Sequence, residues 1–210
     1  MEKTHKLSQE ILSIFAEALG FPTDHFAKAH QITADDAQTT LRLLHYHDIQ
    51  GIEFPPQYWR AGAHTDFDCL TMLFQRTGED GLEVCPGREA HSGFAKGDMW
   101  TPVEPITGEI VCNIGDMLMS WSDDRFKSLF HRVRCPKIGE NQKERYSIAY
   151  GSPSSPSLHM RALWLIVCER YFNQANKKVV VQGPQKKYPP LTAHEYIMSA
   201  LQRNFAQLKT

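Results

Sequence analysis

Residues 62–75, GAHTDFDCLTMLFQ, carry the pattern that decides the fold and the site of this chain. His64 and Asp66 stand two residues apart near the start of the stretch. In an extended strand, residues i and i+2 point to the same face of the sheet, so an imidazole and a carboxylate would converge beside it. Two protein ligands are an incomplete metal site, and a third candidate, His131, lies downstream in LFHRVRC. The sequence therefore predicts a metal site of two His and one Asp.

A second pattern gives the His-x-Asp pair its weight, because such a pair alone is a weak signal. Arg145 and Ser147 form Arg-x-Ser in RYSIAY, and in a strand they too would share a face. A guanidinium is a rigid fork suited to a carboxylate, and a neighbouring hydroxyl adds a further hydrogen bond. Two His and one carboxylate with open coordination positions are typical of non-haem Fe(II) oxygenases. The two patterns together predict a metal triad followed by a carboxylate clamp.

The sequence resembles the iron(II)/2-oxoglutarate-dependent dioxygenases of the isopenicillin N synthase-like group, with the fungal branch as one candidate placement. The resemblance covers nearly the whole chain outside residues 151–170. It is carried by TLRLLHY (40–46), GAHTDFDCLTMLFQ (62–75), GEIVCNIGDMLMSWSDDRFKSLFHRVRCP (108–136) and RYSIAY (145–150).

The resemblance implies a role for six residues. The iron ligands at the catalytic centre would be His64, Asp66 and His131. The cosubstrate-binding residues would be Arg145 and Ser147, which hold the distal carboxylate of 2-oxoglutarate, and Tyr46, which contacts the cosubstrate. The implied reaction uses Fe(II), 2-oxoglutarate and dioxygen to oxidise a small organic substrate, by hydroxylation or desaturation, with release of succinate and CO2.

Three other readings of the same residues remain open. An oxidase of the same scaffold can dispense with 2-oxoglutarate and use the Arg-x-Ser pair for a substrate carboxylate. An inactive relative could bind metal without a working pocket. A zinc hydrolase is chemically allowed, since two His, one Asp and a water can hold Zn²⁺, although the clamp and the strand pattern argue against it.

Composition fits one ordinary globular domain without nucleic-acid or membrane partners. The chain has 210 residues, 41% of them hydrophobic and 22% charged, so it can bury a real core. A net charge of −1 gives no electrostatic case for nucleic acid or an anionic membrane. The sequence has no apolar run of membrane-spanning length and no secretory start, so we expect a cytoplasmic protein. Oligomeric state cannot be read from it. Five widely spaced cysteines without a C-x-x-C motif predict buried, reduced thiols: Cys69, Cys85, Cys112, Cys135 and Cys168.

Short strands alternating with turns predict a mainly β fold with flanking helices, a double-stranded β-helix or jelly roll. One catalytic domain would fill residues 1–210, with a helical lead-in at 1–38, a jelly-roll core at 39–183 and a closing helix at 184–210. Helical periodicity predicts helices over 7–19 and, more briefly, 23–29, whereas GEIVCNIGDMLMSW (108–121) is expected to form two short strands. Five further histidines are expected to be surface or pocket-lining residues: His25, His30, His45, His47 and His91.

Two features depart from the family that the chain resembles. Family members carry further residues upstream, so the first helix here corresponds to the middle of such a protein. Residues 151–170, GSPSSPSLHMRALWLIVCER, interrupt a passage that would otherwise run from RYSIAY into YFNQANKKVVVQGP. This insertion is either a retained short intron in the gene model or a genuine lid beside the clamp strand.

Overall fold

The computed structural model of the chain describes residues 1–33, 39–55, 58–89, 99–137, 139–152 and 199. From residue 153 onward the predicted insertion lies outside the described residues, as do the strand after it and the closing helix, apart from residue 199. His91 and Cys168 also lie outside them. The division of the chain into lead-in, core and closing helix therefore stays a prediction.

The described elements follow the predicted alternation of short strands and turns. In chain order they are α1 (Glu2–Leu19), a 3-10 helix (Ala27–Ala29), β1 (Thr40–Tyr46), β2 (Trp59–His64), β3 (Leu70–Phe74), β4 (Leu82–Glu89), β5 (Thr101–Pro102), β6 (Ile110–Ile114), α2 (Asp116–Trp121), β7 (Leu129–Arg134) and β8 (Arg145–Ser152). None of the described helices is long and apolar enough to cross a membrane.

The strands form two four-stranded sheets, in the orders β1-β8-β3-β6 and β2-β7-β4-β5. All six pairings between these strands are antiparallel. This interleaved order is that of a double-sheet jelly roll, which confirms the predicted fold class. The short β5 lies at a sheet edge, where its Pro102 is tolerated because an edge strand needs fewer ladder hydrogen bonds.

Helix α1 covers the outer face of the β1-β8-β3-β6 sheet. Its apolar positions recur at helical spacing, and Leu12, Ala16 and Leu19 are buried in one cluster with Met72 and Tyr150 of the sheet. The helix begins five residues earlier than predicted, at Glu2, and ends as expected at Gly20, which takes the left-handed cap with φ 79°. The helix and this sheet together build the larger core.

The prediction of two strands over residues 108–121 is wrong in its second half. Strand β6 ends at Ile114, and the next residues form helix α2. The first backbone N–H groups of this segment bond to the loop before β3: Gly115 to Cys69 O, Asp116 to Asp66 O and Met117 to Asp68 O. With these donors satisfied outside a strand ladder, the apolar run that follows can pack its side chains into the core as a helix.

Other expectations also need correction. The second helix is reduced to the short 3-10 turn, and His25 and His30 are buried rather than at the surface. His25 stacks on Phe21 with ring centroids 4.4 Å apart, so aromatic packing encloses it. The polar, Gly-rich stretch from residue 86 onward predicts a surface loop, but strand β4 continues to Glu89.

The predictions for the other described histidines and for the cysteines have mixed outcomes. His45 and His47 are exposed, as expected. Among the described cysteines, Cys69 and Cys85 are buried as predicted, but Cys112 is exposed and Cys135 is half-buried. Cys112 is exposed because it lies on β6, the edge strand of its sheet.

Candidate metal centre

The three predicted ligands converge between the two sheets. His64 is the last residue of β2 and lies directly opposite His131 of β7, with ring centroids 4.3 Å apart. One ligand atom from each of His64, Asp66 and His131 can be chosen so that all lie within 4.8 Å of one another. Among the described residues, this is the one cluster of three or more such side chains that could hold a metal ion.

Asp66 reaches this point by a different route from the one the sequence suggests. Strand β2 ends at His64, so Asp66 lies in the following loop and does not share a strand face with His64. The loop turns back because its carbonyls accept hydrogen bonds from the start of α2. Asp66 as a ligand therefore stays a prediction, and the shared strand face from which it was predicted is not found.

Both imidazoles present Nε2 to the centre. Nδ1 of His64 lies 2.7 Å from Gly62 O, and Nδ1 of His131 lies 3.4 Å from Leu129 O. A carbonyl oxygen only accepts, so each Nδ1 is a donor, and Nε2 is the nitrogen left for a metal in that tautomer. The two Nε2 atoms lie 3.8 and 3.7 Å from Asp66 Oδ1. Three possible ligand atoms thus face one point.

Two further side chains hold the Asp66 carboxylate. Its Oδ2 accepts hydrogen bonds from the Thr71 hydroxyl at 2.7 Å and from Asn113 Nδ2 at 2.8 Å. Burial alone would raise the pKa of Asp66, but His131 and these two hydrogen bonds outweigh it and leave the pKa below its ordinary value. Burial also lowers the pKa of His131, which favours the neutral ring.

Thr71 and Asn113 are not among the six site residues predicted from the sequence. Asn113 left a usable signal, because asparagine is depleted in strands and here interrupts the apolar run IVCNI. In the sheet, Thr71 lies opposite both Asn113 and Gly151. Directly opposed residues point to the same face, so both hydrogen-bond donors project toward Asp66 from the inner side of the sheet.

The Arg-x-Ser pair lies on that same inner face. Gly151, Ser147 and Arg145 alternate along β8, and the register places Gly151 opposite Thr71. The Arg145 and Ser147 side chains are almost completely buried, at 2% and 4% exposure. Arg145 Nη1 and Ser147 Oγ have no hydrogen-bond partner among the described residues. A buried guanidinium N–H and a buried hydroxyl without partners are what a missing carboxylate would satisfy.

The rest of the Arg145 guanidinium is held by neutral acceptors. Nε donates to Glu79 O at 2.8 Å, and Nη2 donates to Gln75 Oε1 at 2.9 Å. The Glu79 carboxylate is turned away, because it accepts hydrogen bonds from Arg76 and from the Tyr146 N–H. Arg145 therefore keeps its positive charge for a ligand.

Tyr46 lies beside Arg145, the position that its predicted role in the clamp requires. It pairs with Arg145 across β1 and β8, and Arg145 Cζ lies 4.6 Å from the centre of the Tyr46 ring. The ring thus covers one face of the guanidinium. All six predicted site residues are found in two adjoining groups, the triad and the clamp, which face the space between the sheets.

Comparisons with known proteins agree with this geometry. The family model of the 2OG-Fe(II) oxygenase superfamily matches residues 37–151. The chain is 31% identical to the 2-oxoglutarate-Fe(II) type oxidoreductase hxnY of Emericella nidulans, over 97% of this chain and 50% of that protein. It is 34% identical to the 2-oxoglutarate-dependent dioxygenase thnC of Trichoderma harzianum, over 70% of this chain and 41% of that one.

Solved structures give the same likeness. A Neurospora crassa structure in complex with alpha-KG (2-oxoglutarate) matches with a TM-score of 0.67 and 26% identity, over 97% of this chain and 54% of that one. A 2OG-Fe(II) oxygenase family protein from Caulobacter crescentus matches with a TM-score of 0.68 and 27% identity, over 96% of this chain and 56% of that one. The chain spans about half the length of the relatives it matches.

Proposed function

Because the chain belongs to the 2OG-Fe(II) oxygenase superfamily, we propose that it is an Fe(II)- and 2-oxoglutarate-dependent oxygenase. It would oxidise a small organic substrate, by hydroxylation or desaturation, and release succinate and CO2. The observation that carries the proposal is the pair of buried, unpartnered donors on Arg145 and Ser147, which face the same space as the three converging ligands.

The donor set suits ferrous iron. Two imidazole nitrogens and one carboxylate oxygen on one side of a metal leave the opposite positions open for other ligands. His64, Asp66 and His131 would hold the ion, and Thr71 and Asn113 would fix the carboxylate so that Oδ1 faces it. Fe(II) held there would supply the oxidising chemistry with dioxygen, and the 2-oxo acid would be its chelating ligand.

The protein's own contribution is binding, orientation and exclusion of water. Arg145 and Ser147 would bind the distal carboxylate of 2-oxoglutarate, which directs its 2-oxo acid end toward the triad. Charge-assisted hydrogen bonds of this kind are stronger when both partners are buried, as these residues are. Tyr46 would cover the guanidinium and restrict its side-chain orientation.

The names of the relatives bear on the class of substrate. The relatives include a protein named proline hydroxylase and one named validamycin A dioxygenase, and a Neurospora crassa structure contains thymine. These names share the feature of small polar molecules, and we propose the same for this chain. A cytoplasmic location and the absence of nucleic-acid and membrane partners stay predictions.

Anaerobic titration of the purified chain with Fe(II) and 2-oxoglutarate tests the proposal. The chelate should give a weak visible charge-transfer band, and aeration should then yield succinate. Asp66→Ala should lose iron binding, whereas Arg145→Ala should still bind iron but lose the band at the same cosubstrate concentration. Arg125→Ala, which changes an exposed arginine, is the matched control.

The outcomes separate the alternatives. Iron binding without a band in the parent chain would favour an oxidase that does not use 2-oxoglutarate, or an inactive relative. Normal iron affinity together with normal 2-oxoglutarate consumption in Asp66→Ala would refute the ligand assignment.

A further inference from the structure

Gln75 follows directly after β3 and is buried, with only 7% of its surface exposed. Its Oε1 accepts the hydrogen bond from Arg145 Nη2, and its Nε2 has no hydrogen-bond partner among the described residues. No second polar group among the described residues therefore fixes the Gln75 side-chain amide. We propose that Gln75 is a positioning residue for the cosubstrate site, which orients Arg145 while leaving its charge available to the distal carboxylate.

The orientation follows from how the guanidinium is held. Nε is bound by Glu79 O and Nη2 by Gln75 Oε1, which leaves Nη1 as the free end of the fork. A guanidinium is planar, so two fixed nitrogens determine where the third points. Without Gln75, one bond remains and the plane can rotate about it.

The neutral charge of the Gln75 side chain matters at this position. A carboxylate at the same place would bind Arg145 more strongly but would neutralise it and compete with the ligand. The nearby carboxylate, Glu79, already pairs with Arg76 instead. The clamp therefore has neutral acceptors on two of its nitrogens, and this arrangement favours a ligand that brings its own negative charge.

The inference rests on the proposed function and makes a statement about ligand selectivity. 2-Oxoglutarate and 2-oxopentanoate share the 2-oxo acid that chelates iron and have the same chain length. Only 2-oxoglutarate has a carboxylate at C5, where 2-oxopentanoate has a methyl group. The ratio of their dissociation constants therefore measures the clamp and cancels changes at the metal.

The experiment measures both dissociation constants on the Fe(II)-loaded chain under anaerobic conditions, by the visible band and by the ligand-induced rise in melting temperature. Gln75→Met keeps the approximate side-chain volume and removes the acceptor. Gln75→Glu keeps the shape and adds the competing charge. Gln50→Glu, in an exposed loop, adds the same charge away from the site and serves as control.

We expect the preference for 2-oxoglutarate to fall about tenfold in Gln75→Met, the loss of one hydrogen bond to a charged group. It should fall further in Gln75→Glu, where the arginine charge is neutralised, while 2-oxopentanoate binding changes little in either variant. An unchanged preference in both variants, or equal weakening of both ligands, would overturn the proposal, because the second result describes a structural role.

Two additional results keep the test decisive. If Gln75→Met does not fold, Gln75→Glu decides alone, since its shape is retained. If the preference is lost in Arg145→Ala but retained in both Gln75 variants, the proposed function stands and this inference fails. A parent chain without any preference for 2-oxoglutarate would overturn both.

Discussion

Replacing Asn113 by leucine isolates the contribution of the residues that support Asp66, the proposed metal ligand. Asn113 donates one of the two hydrogen bonds to Oδ2, at 2.8 Å, and Thr71 donates the other at 2.7 Å. Asn113→Leu keeps a side chain of similar size on the inner face of β6 and removes the amide that donates to Asp66. The carboxylate would then be held by Thr71 alone, so its orientation toward the two imidazoles is less restricted.

The size of the effect can be worked from the geometry. A hydrogen bond to a charged group contributes about 1.5 to 3 kcal/mol when buried. The Asp66 side chain is 22% exposed, so water can replace part of the lost bond, and the lower half of that range applies. At about 1.4 kcal/mol per tenfold change, Asn113→Leu should weaken metal binding by about 10- to 40-fold.

The assay is anaerobic titration of the apo chain with Fe(II), repeated with Mn(II) as a redox-stable probe. Thr71→Val is the companion variant and should give a loss of the same order. Asn141→Leu is the control, because Asn141 is exposed and its amide donates to Gly78 O far from the triad. A metal dissociation constant within twofold of the parent in Asn113→Leu, at an unchanged melting temperature, would refute the reasoning. The loop backbone alone would then orient Asp66.

Three further predictions concern stability. Leu12→Ala, which truncates a fully buried side chain of α1, should lower the free energy of unfolding by about 2 to 5 kcal/mol in urea titration, and a loss below about 1 kcal/mol would contradict the packing described. Burial lowers the pKa of His25 to about 4, so only the unfolded chain binds a proton at this site between pH 6.5 and that value. The parent should therefore lose about 2 kcal/mol more stability than His25→Phe between pH 7 and pH 5, and equal slopes in the two proteins would contradict it. Gly115→Ala would place a Cβ 2.0 Å from Asp68 O, so the loop must move, and both the melting temperature and metal affinity should fall; unchanged values for both would show that the loop adapts.

The candidate ligands could be proposed from the sequence because their chemistry is carried by residue type and spacing. His64, His131 and the Arg145–Ser147 pair lie on strands, and there the two-residue period predicts correctly which side chains share a face. Asp66 was proposed from its spacing to His64 and does lie beside both histidines, although it is beyond the strand end. The sequence pattern could not reveal this, because a loop that returns to the same point has no period.

Helix α2 shows why other parts were not predictable. Residues 116–121 are mostly apolar and short, and such a run cannot be assigned to helix or strand by periodicity alone. The deciding contacts are long-range, since the N–H groups that start the helix bond to carbonyls about fifty residues earlier in the chain. The burial of His25 and His30 has the same origin, because Trp121 of α2 packs against His30 and against Phe26, which contacts His25.

Those same contacts couple the metal centre to the core. The loop that carries Asp66 is bonded to the first turn of α2, and Met117 and Leu118 of that helix are buried in the cluster that α1 covers. A ligand that binds only the folded chain stabilises it by RT ln(1 + [L]/Kd), so metal should raise the melting temperature by an amount set by its affinity.

Leu12→Ala removes packing on the far side of the sheet and should lower the melting temperature equally with and without metal. Gly115→Ala acts on the Asp66 loop itself and should reduce the metal-induced rise. If the metal-induced rise in melting temperature is smaller in Gly115→Ala than in Leu12→Ala, the coupling lies at the junction of Asp66 and α2. Equal rises in the two variants would mean that the core and the metal centre are independent.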